Sequence, residues 1–212
     1  MFCVVTLLRD LKTHNNLIVN NMKTLFKISA VALVVTALSF GAKAQTTSQN
    51  PSTTSSVRLS AGVDAGLPVG DFSDTHNWSI GGSLQADIPV VKQLFVTVNG
   101  GYNNIFGKKI NNTSLSYTDV QLIPVKAGLK YFPVQNVYIQ GEAGASFLVN
   151  KNDLVANNST AFVYAPQVGV VFPVGGKSFI DAGVRFENTQ SFYTNGNSFS
   201  TLGLRVAYAF GL

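Results

Sequence analysis

The chain has 212 residues, of which 46% are hydrophobic and only 12% are charged. The low charge excludes a disordered acidic or basic tail protein, and the single cysteine, Cys3, excludes a disulfide scaffold and a cysteine-rich zinc fold. The residues after position 44 include ten basic and nine acidic side chains. The basic character of the whole chain therefore comes mostly from its first 44 residues, and it does not indicate binding to nucleic acid.

The first 44 residues have the pattern of a cleavable secretory signal. Lys23 and Lys27 precede an apolar run over residues 28–40, and the small residues Ala42 and Ala44 follow it. The run is too short for a membrane-spanning helix, and a buried helix is the alternative interpretation. We predict a signal peptide over residues 22–44, preceded by an upstream extension over residues 1–21.

A short flexible linker is predicted over residues 45–56, which are rich in Ser, Thr and Gln. After it, apolar residues alternate with small or polar ones, which is the period of a β-strand. Each alternating segment has roughly ten residues or a little more, the span of a tilted strand across a bilayer. The pattern predicts eight strands, near residues 57–67, 78–88, 94–103, 117–132, 137–149, 161–172, 179–187 and 200–212.

The predicted connections alternate in length. Three are short, at residues 89–93, 133–136 and 173–177, and four are longer, at residues 68–77, 104–116, 150–160 and 188–199. Short turns at one end and long loops at the other are typical of outer-membrane β-barrels. An even number of strands then places both termini at the end with the short turns, which is the periplasmic side.

Charged residues share one face of the predicted strands. A basic residue on the lipid face costs roughly 2–4 kcal/mol at mid-membrane, so these charges belong inside the barrel. Five are positive and five are negative, which allows them to pair and to fill the lumen. The predicted luminal polar network is Arg58, Asp64, Asp87, Lys126, Lys130, Glu142, Asp181, Arg185, Glu187 and Arg205.

Aromatic residues recur near both ends of the opposite face. Aromatic rings prefer the two membrane interfaces, so the pattern predicts two girdles. A soluble lipocalin-type barrel shares the alternation but places its apolar face inside, and the asymmetric connections and the signal segment disfavour it. The predicted girdle residues are Trp78, Tyr102, Tyr131, Phe147, Phe162, Phe172, Phe186, Tyr208 and Phe210.

Three residues fit the strand pattern less well. Pro124 and Pro166 lie inside predicted strands, where a closed barrel lacks their amide hydrogen, so we expect a bulge at each. Asp119 has the outward parity of its strand and should therefore lie above the membrane. Val120 and Leu122 then point inward.

Several segments resemble a known family. These are Gly66–Phe72 (GLPVGDF), Ile123–Val125 with Leu129–Tyr131, and the last strand from Leu204 to Phe210. Over residues 57–212 the chain resembles the small OmpX- and OmpA-like outer-membrane barrels, also described as porin-family proteins. The resemblance implies an eight-stranded up-and-down barrel in a Gram-negative outer membrane, assembled by the barrel assembly machinery. One departure is that Gly211 and Leu212 follow the terminal aromatic residue.

Candidate chemistry is confined to the first long loop. His76 is the one histidine after position 44, and Asp71, Ser73 and Asp74 lie within five residues of it. Such residues could form an acyl-transfer site, but no nucleophile-elbow motif is present and loop residues of these types are common. The sequence contains no recognisable metal-ligand set and predicts no cofactor.

Two other loops carry candidate contact residues. Lys108 and Lys109 could contact an anionic surface, and Phe192 and Tyr193 form a candidate aromatic loop tip. Together these features predict a non-enzymatic outer-membrane barrel with a filled lumen. Its expected partners are the outer-membrane lipids around the barrel and a surface ligand that contacts its four loops. A narrow pore for ions or small solutes is the main alternative, and a lipid-modifying enzyme that uses His76 is a second.

Overall fold

The structure, a computed structural model, describes residues 51, 56–110, 115–154, 156–194 and 196–212. The predicted upstream extension over residues 1–21, including Cys3, lies outside the described residues. So do the predicted signal peptide over residues 22–44 and all of the predicted linker except Pro51 and Ser56. These assignments therefore stay predictions.

The alternating segments form one closed antiparallel barrel of eight strands. Each strand pairs with its neighbours in the sequence, and the last strand returns to pair with the first. The predicted all-β, eight-stranded fold is thus confirmed. The strands are β1 (Arg58–Val69), β2 (His76–Val91), β3 (Leu94–Gly107), β4 (Val120–Tyr131), β5 (Val137–Leu148), β6 (Thr160–Gly175), β7 (Ser178–Thr189) and β8 (Phe199–Gly211).

The connections differ in length at the two ends of the barrel. Residues 92–93, 132–136 and 176–177 form short turns, and we call their side the turn end, where β1 also begins and β8 finishes. The four longer connections lie at the opposite side, the loop end. Two of them contain one-turn helices, α1 (Phe72–Thr75) and α2 (Lys151–Leu154). Within the described ranges, no helix is long and apolar enough to cross a bilayer.

The tight turns require unusual backbone at two of these connections. Gln93 has φ 70° in the two-residue turn between β2 and β3, and Gly176 has φ 53° in the turn between β6 and β7. Glycine adopts positive φ without steric cost, whereas glutamine does not. In both hairpins the residue with positive φ lies in the two-residue turn, so the turn geometry fixes where the chain reverses direction.

Some predicted strand boundaries are wrong at the loop end. His76 is the first residue of β2 and not a loop residue, because its backbone pairs with Gly107 of β3. β4 begins at Val120 and not at residue 117. Asp119 lies in the preceding connection, where its carboxylate accepts hydrogen bonds from Gly107 N at 2.9 Å and from Asn104 Nδ2 at 3.3 Å.

The bulges expected at Pro124 and Pro166 are not formed. The β3–β4 ladder has the same register before and after Pro124, and the β6–β7 ladder has the same register before and after Pro166. Each proline interrupts the pairing on one side only, because the ladder on its other side is continuous and holds the strand in place. The observed irregularities lie near strand ends, between residues 76 and 79, 89 and 91, and 173 and 175.

Alternation places opposite chemistry on the two sides of the wall. Along β1, Val63 and Leu67 are exposed on the outer surface, whereas Arg58 and Ser60 are buried in the lumen. The same period continues around the barrel, so its outer surface is covered by exposed apolar side chains while its interior is polar at mid-height. Successive side chains of a strand point to opposite faces, so the alternation separates the two sets of residues. The polar set lies inside, which is the reverse of a soluble core.

Candidate functional site

The lumen contains all ten charged side chains of the predicted polar network. Nine are buried, and Asp64 is partly buried. They lie on the inward-facing positions of six strands, all except β3 and β6. Charges in such a setting require partners, because an isolated ion taken from water into a protein interior is strongly destabilised. The structure shows how these partners are arranged.

Near the turn end, one ammonium group joins two carboxylates. Lys130 Nζ lies 3.0 Å from Asp87 Oδ2 and 2.6 Å from Asp181 Oδ2. The Tyr138 hydroxyl donates to the other oxygen of Asp181 at 2.6 Å. Arg58 adds a second cation, 3.6 Å from Asp87. These contacts link β1, β2, β4, β5 and β7 across the lumen.

Toward the loop end, a guanidinium joins another pair of acids. Arg185 lies 3.2 Å from Asp64 and 3.8 Å from Glu142, and its Nε donates to Gln167 at 2.7 Å. Lys126 and Glu187 form a further ion pair, in direct contact. The hydroxyl of Thr97 donates to Glu142 at 3.0 Å. Most of the buried charge is therefore neutralised within one connected network.

Arg205 differs from the other luminal cations. Its side chain is fully buried, and within the described part of the chain no carboxylate oxygen lies within 4 Å of it. Nε donates to Ser83 at 3.0 Å and Nη2 donates to Ser60 at 3.1 Å. Ser83 in turn donates to Asp64 at 2.6 Å. A hydroxyl thus relays the interaction between this guanidinium and an acid of the network.

An aromatic cluster fills the lumen at the turn end. Sequence reasoning missed it, although the inward parity of Phe95, Tyr138 and Phe179 on their strands was a usable signal. The guanidinium of Arg58 lies over the Phe95 ring, 4.4 Å from its centroid, and Nη1 donates to the carbonyl of Pro51 at 3.0 Å. We call these residues the turn-end cluster: Phe95, Phe132, Tyr138, Val171, Phe179 and Ala209.

A second apolar cluster fills the mouth at the loop end. Residues from the connections pack there against the inward-facing tops of the strands. Phe72 of α1 contacts Phe199 edge to face with ring centroids 4.8 Å apart, and Phe192 lies 5.7 Å from the same ring. We call these residues the loop-end cluster: Phe72, Ile105, Val120, Leu122, Leu148, Ala156, Ala161 and Phe192.

Phe192 is therefore not part of an exposed loop tip. It is fully buried, and Tyr193 is partly buried with its hydroxyl donating to Leu154 O at 2.8 Å. The loop folds back into the mouth of the barrel because the two rings bury more apolar surface there than they would at a solvent-exposed loop tip. Lys108 is also engaged, since its ammonium donates to the carbonyl of Ser73.

Some free space remains between the two clusters. A luminal chamber of about 40 Å³ lies beside Asp64, Asn99, Lys126 and Arg185. It is large enough for only a few water molecules. The Asn99 Oδ1 atom has no hydrogen-bond partner among the described residues, and such an atom at a polar chamber is a place where an internal water binds.

The predicted girdle residues are distributed on the outer surface. Seven are exposed, and Phe172 and Phe186 are half-buried. Trp78 stacks on Phe106 with centroids 4.4 Å apart, and Tyr208 donates to Ser178 at 2.8 Å. Trp78 lies near the loop end and Tyr208 near the turn end. Their role at membrane interfaces remains a proposal.

The acidic and hydroxyl groups near His76 do not assemble a catalytic triad. The Ser73 hydroxyl donates to Gly70 O at 2.7 Å, and Asp71 accepts from Asn197 at 3.0 Å. His76 instead places Nδ1 2.8 Å from the Thr75 hydroxyl and Nε2 3.3 Å from the carbonyl of Thr118. In the described residues, no group of three or more His, Cys, Asp or Glu side chains is placed to hold a metal ion.

His76 lines a cavity of about 280 Å³ at the loop end. The histidine lies closer to the loops than Trp78, at the first position of β2. Burial lowers the pKa of His76 below its ordinary value of 6.5, and the nearby Lys108 adds to this decrease. The hydrogen bond to Thr118 O and the carboxylate of Asp119 act in the opposite direction. His76 is therefore neutral at pH 7.

A closed antiparallel barrel of eight strands, apolar outside and ion-paired inside, defines the class of small transmembrane β-barrels. Solved structures with a similar fold include the Neisserial surface protein A. It is 17% identical, with a TM-score of 0.50, and the match covers 74% of this chain and 97% of that one.

Two further structures match at lower similarity. The attachment invasion locus protein Ail of Yersinia pestis is 16% identical over 74% of this chain and 100% of its own, with a TM-score of 0.46. OprG from Pseudomonas aeruginosa is 11% identical over 77% of this chain and 97% of its own, with a TM-score of 0.44. No protein-family model matches the chain, and no curated protein matches it significantly.

Proposed function

We propose that this protein is a sealed outer-membrane β-barrel with a structural or surface-interaction role carried by its four loops. The observation that carries the proposal is that packed or ion-paired side chains occupy the lumen at both ends and at mid-height. An aromatic cluster fills the turn end, an ion-pair network occupies the middle, and the loop-end cluster fills the mouth. What varies on such a scaffold is the set of loops, where interaction surfaces usually lie.

The outer surface supports the membrane location. Large apolar side chains, among them Val63, Leu84, Leu129 and Val206, are exposed on every strand except β7, whose outward-facing positions are half-buried. In water, so extensive an apolar surface would drive association, whereas in a bilayer it is solvated by acyl chains. The partners proposed on this side are outer-membrane lipids. We further propose that both termini are periplasmic and that the barrel assembly machinery inserts the chain.

The filled lumen disfavours a pore. Eight strands enclose an interior just wide enough for side chains, and here those side chains are held by opposite charges. Ion conduction would require the Lys130 contacts with Asp87 and Asp181 to open, and both apolar clusters to part. Each of these steps exposes groups that the folded barrel keeps paired or buried.

The protein is proposed to act without catalysis. Ser73 and Asp71, the groups with which His76 could have formed an acyl-transfer site, bond elsewhere, to Gly70 and Asn197. A general base must lie within hydrogen-bond reach of the nucleophile that it activates. An assay for hydrolysis of acyl esters, with the His76→Ala variant as the matched control, is expected to give the same background rate for both proteins.

Conductance in planar lipid bilayers tests the sealed barrel. The protein is purified in detergent and inserted, and insertion is verified by protease protection in parallel vesicles. We expect no discrete current steps from the native protein or from Phe95→Ala, because the loop-end cluster still closes the lumen when the turn-end cluster is weakened. Reproducible steps from the native protein would contradict the proposal and would establish the narrow pore instead.

A further inference from the structure

The loop-end cavity has walls made largely of aromatic rings. Tyr117, Phe192, Tyr193 and Phe199 all line its volume of about 280 Å³. This volume is close to the lower limit of small-molecule sites, which are usually apolar with a few placed polar groups. It lies at the proposed external face of the barrel, and three of its lining residues, Val120, Leu148 and Phe192, belong to the loop-end cluster.

One carboxylate lies in the wall of this cavity. Asp153, on α2, is exposed, and in the described part of the chain its side chain forms neither a hydrogen bond nor an ion pair. The three lysines of the surrounding loops, Lys108, Lys109 and Lys151, do not line the cavity. Since His76 is neutral at pH 7, the wall carries a net charge of one negative unit.

The imidazole of His76 and the hydroxyl of Tyr193 are already occupied, whereas the hydroxyls of Tyr117 and Thr118 form no hydrogen bond within the described part of the chain. His76 faces Thr75 and the carbonyl of Thr118 through its two nitrogens. The Tyr193 hydroxyl donates to Leu154 O. These donors are therefore not available to an anion, and an anionic ligand would also meet the unpaired carboxylate of Asp153.

We propose that this cavity binds a small organic cation, in which an ammonium group is attached to an apolar or aromatic body. The Asp153 carboxylate accepts hydrogen bonds from the ammonium, and the faces of Tyr193 and Tyr117 attract its positive charge through their ring quadrupoles. The apolar body occupies the space beside Phe192 and Phe199. This ligand class goes beyond the structural role proposed for the barrel and does not depend on whether the lumen conducts.

The test compares three probes of nearly equal size and different charge: phenethylammonium, 2-phenylethanol and phenylacetate. Their binding to the full-length protein in detergent is measured by isothermal titration calorimetry, with empty micelles of the same detergent as the baseline for partitioning. We expect saturable binding of phenethylammonium, weaker binding of the alcohol and no binding of the anion.

Two matched carboxylate variants locate the site. Asp153→Asn should weaken phenethylammonium binding by about tenfold, the usual effect of losing a hydrogen bond to a charged group, and should leave 2-phenylethanol unaffected. Asp74→Asn removes an exposed carboxylate of α1 that does not line the cavity, and it should change neither affinity. Tyr193→Leu keeps an apolar wall but removes the aromatic ring, so it should weaken the binding of phenethylammonium more than the binding of 2-phenylethanol.

Three results would overturn the proposal. The first is the absence of saturable phenethylammonium binding at concentrations up to about 10 mM, which would place any dissociation constant above that value. The second is equal binding of phenylacetate. The third is an Asp153→Asn variant with native affinity in a protein whose thermal unfolding is unchanged. None of these results bears on the conductance of the lumen, so the two proposals fail independently.

Discussion

At Lys130, a single ammonium group neutralises two buried carboxylates. Its side chain is 1% exposed and contacts Asp87 and Asp181, which come from strands on different sides of the lumen. Burial of an ion pair adds little net stability by itself, because desolvation offsets the attraction. Removal of one partner is much more costly, since it leaves uncompensated charge in the interior.

The Lys130→Met variant is therefore expected to lose about 3–5 kcal/mol of unfolding free energy, the usual effect of breaking a buried pair. The measurement is urea unfolding in detergent, followed by circular dichroism. Lys92→Met, in the exposed turn between β2 and β3, serves as the control and should remain within about 0.5 kcal/mol of the native protein. Equal stability of the two variants would contradict a luminal role for the Lys130 charge.

His76 offers a pH-dependent readout at a single residue. Its pKa is lowered in the folded state, chiefly by burial, so the unfolded chain takes up a proton at higher pH than the folded protein does. Its contribution to stability is therefore present above the ordinary pKa of 6.5 and is lost as the pH falls below that value. Stability should consequently decrease on acidification from pH 7 toward pH 5.

NMR titration of the His76 ring measures this shift directly, because the one other histidine, His14, lies in the predicted upstream extension. The expected midpoint is below 6.5. The variant His76→Gln should remove this part of the pH dependence from the unfolding free energy. A midpoint at or above 6.5 would show that the ring is not desolvated as the structure places it.

At the scale of the strand, the two-residue period decides what can be predicted from sequence. It indicates which residues of β1 or β7 share a side of the wall, and hence that Asp181 and Arg185 face the same side. It does not indicate which charges meet, because Lys130 and Asp181 are brought together by a barrel closure that spans four strands. The pairing partner depends on register, and a single sequence carries no signal for register across non-adjacent strands.

Prolines and aromatic residues show two further limits. The rule that a strand proline forms a bulge fails at Pro124 because the neighbouring β4–β5 ladder holds the register. Phe95 and Phe179 have inward parity, and their side chains form an apolar cluster that the charge pattern does not indicate. The loop-end cluster was also unforeseen, since it depends on how connections fold into the mouth, and connections have no periodicity.

Close strand contact at glycine gives a prediction for β5. A Cβ atom at Gly144 would collide with the carbonyl of Val125 and would lie 2.8 Å from Lys126 Cα. Gly141, on the opposite face of the same strand, has no atom within 4 Å of the corresponding position. Gly144→Ala should therefore destabilise the barrel by about 1–3 kcal/mol, as overpacking does.

Gly141→Ala is the matched control, because it adds the same methyl group to the same strand on the outer surface. Thermal unfolding of both variants in one detergent, followed by loss of β-sheet circular dichroism, measures the difference. We expect Gly141→Ala to unfold at nearly the native temperature. Similar decreases for the two variants would indicate a general effect of alanine in β5 and not the predicted collision with β4.

For the whole molecule, the two ends of the barrel should lie on opposite sides of the membrane. The chain after Cys3 contains no cysteine, so single cysteines can be introduced as reporters. Asn152→Cys places one on α2 at the loop end, and Lys92→Cys places one in a turn at the turn end. A membrane-impermeant maleimide added to intact cells should label Asn152→Cys only, whereas both should react after lysis. Labelling of Lys92→Cys in intact cells would reverse the proposed orientation.

The seam between β1 and β8 sets the order of events in folding. Their ladder joins Arg58 to Gly211 and Val69 to Ser200, and the amide of Leu212 continues it to the carbonyl of Val57 at 2.9 Å. The barrel cannot close before β8, the last strand of the chain, is available to pair with β1. Until then, β1 retains an unpaired edge with free amide and carbonyl groups, the kind of edge that recruits foreign strands. Closure through contacts this distant in sequence is slow, and the chain is exposed to aggregation for the whole of that interval.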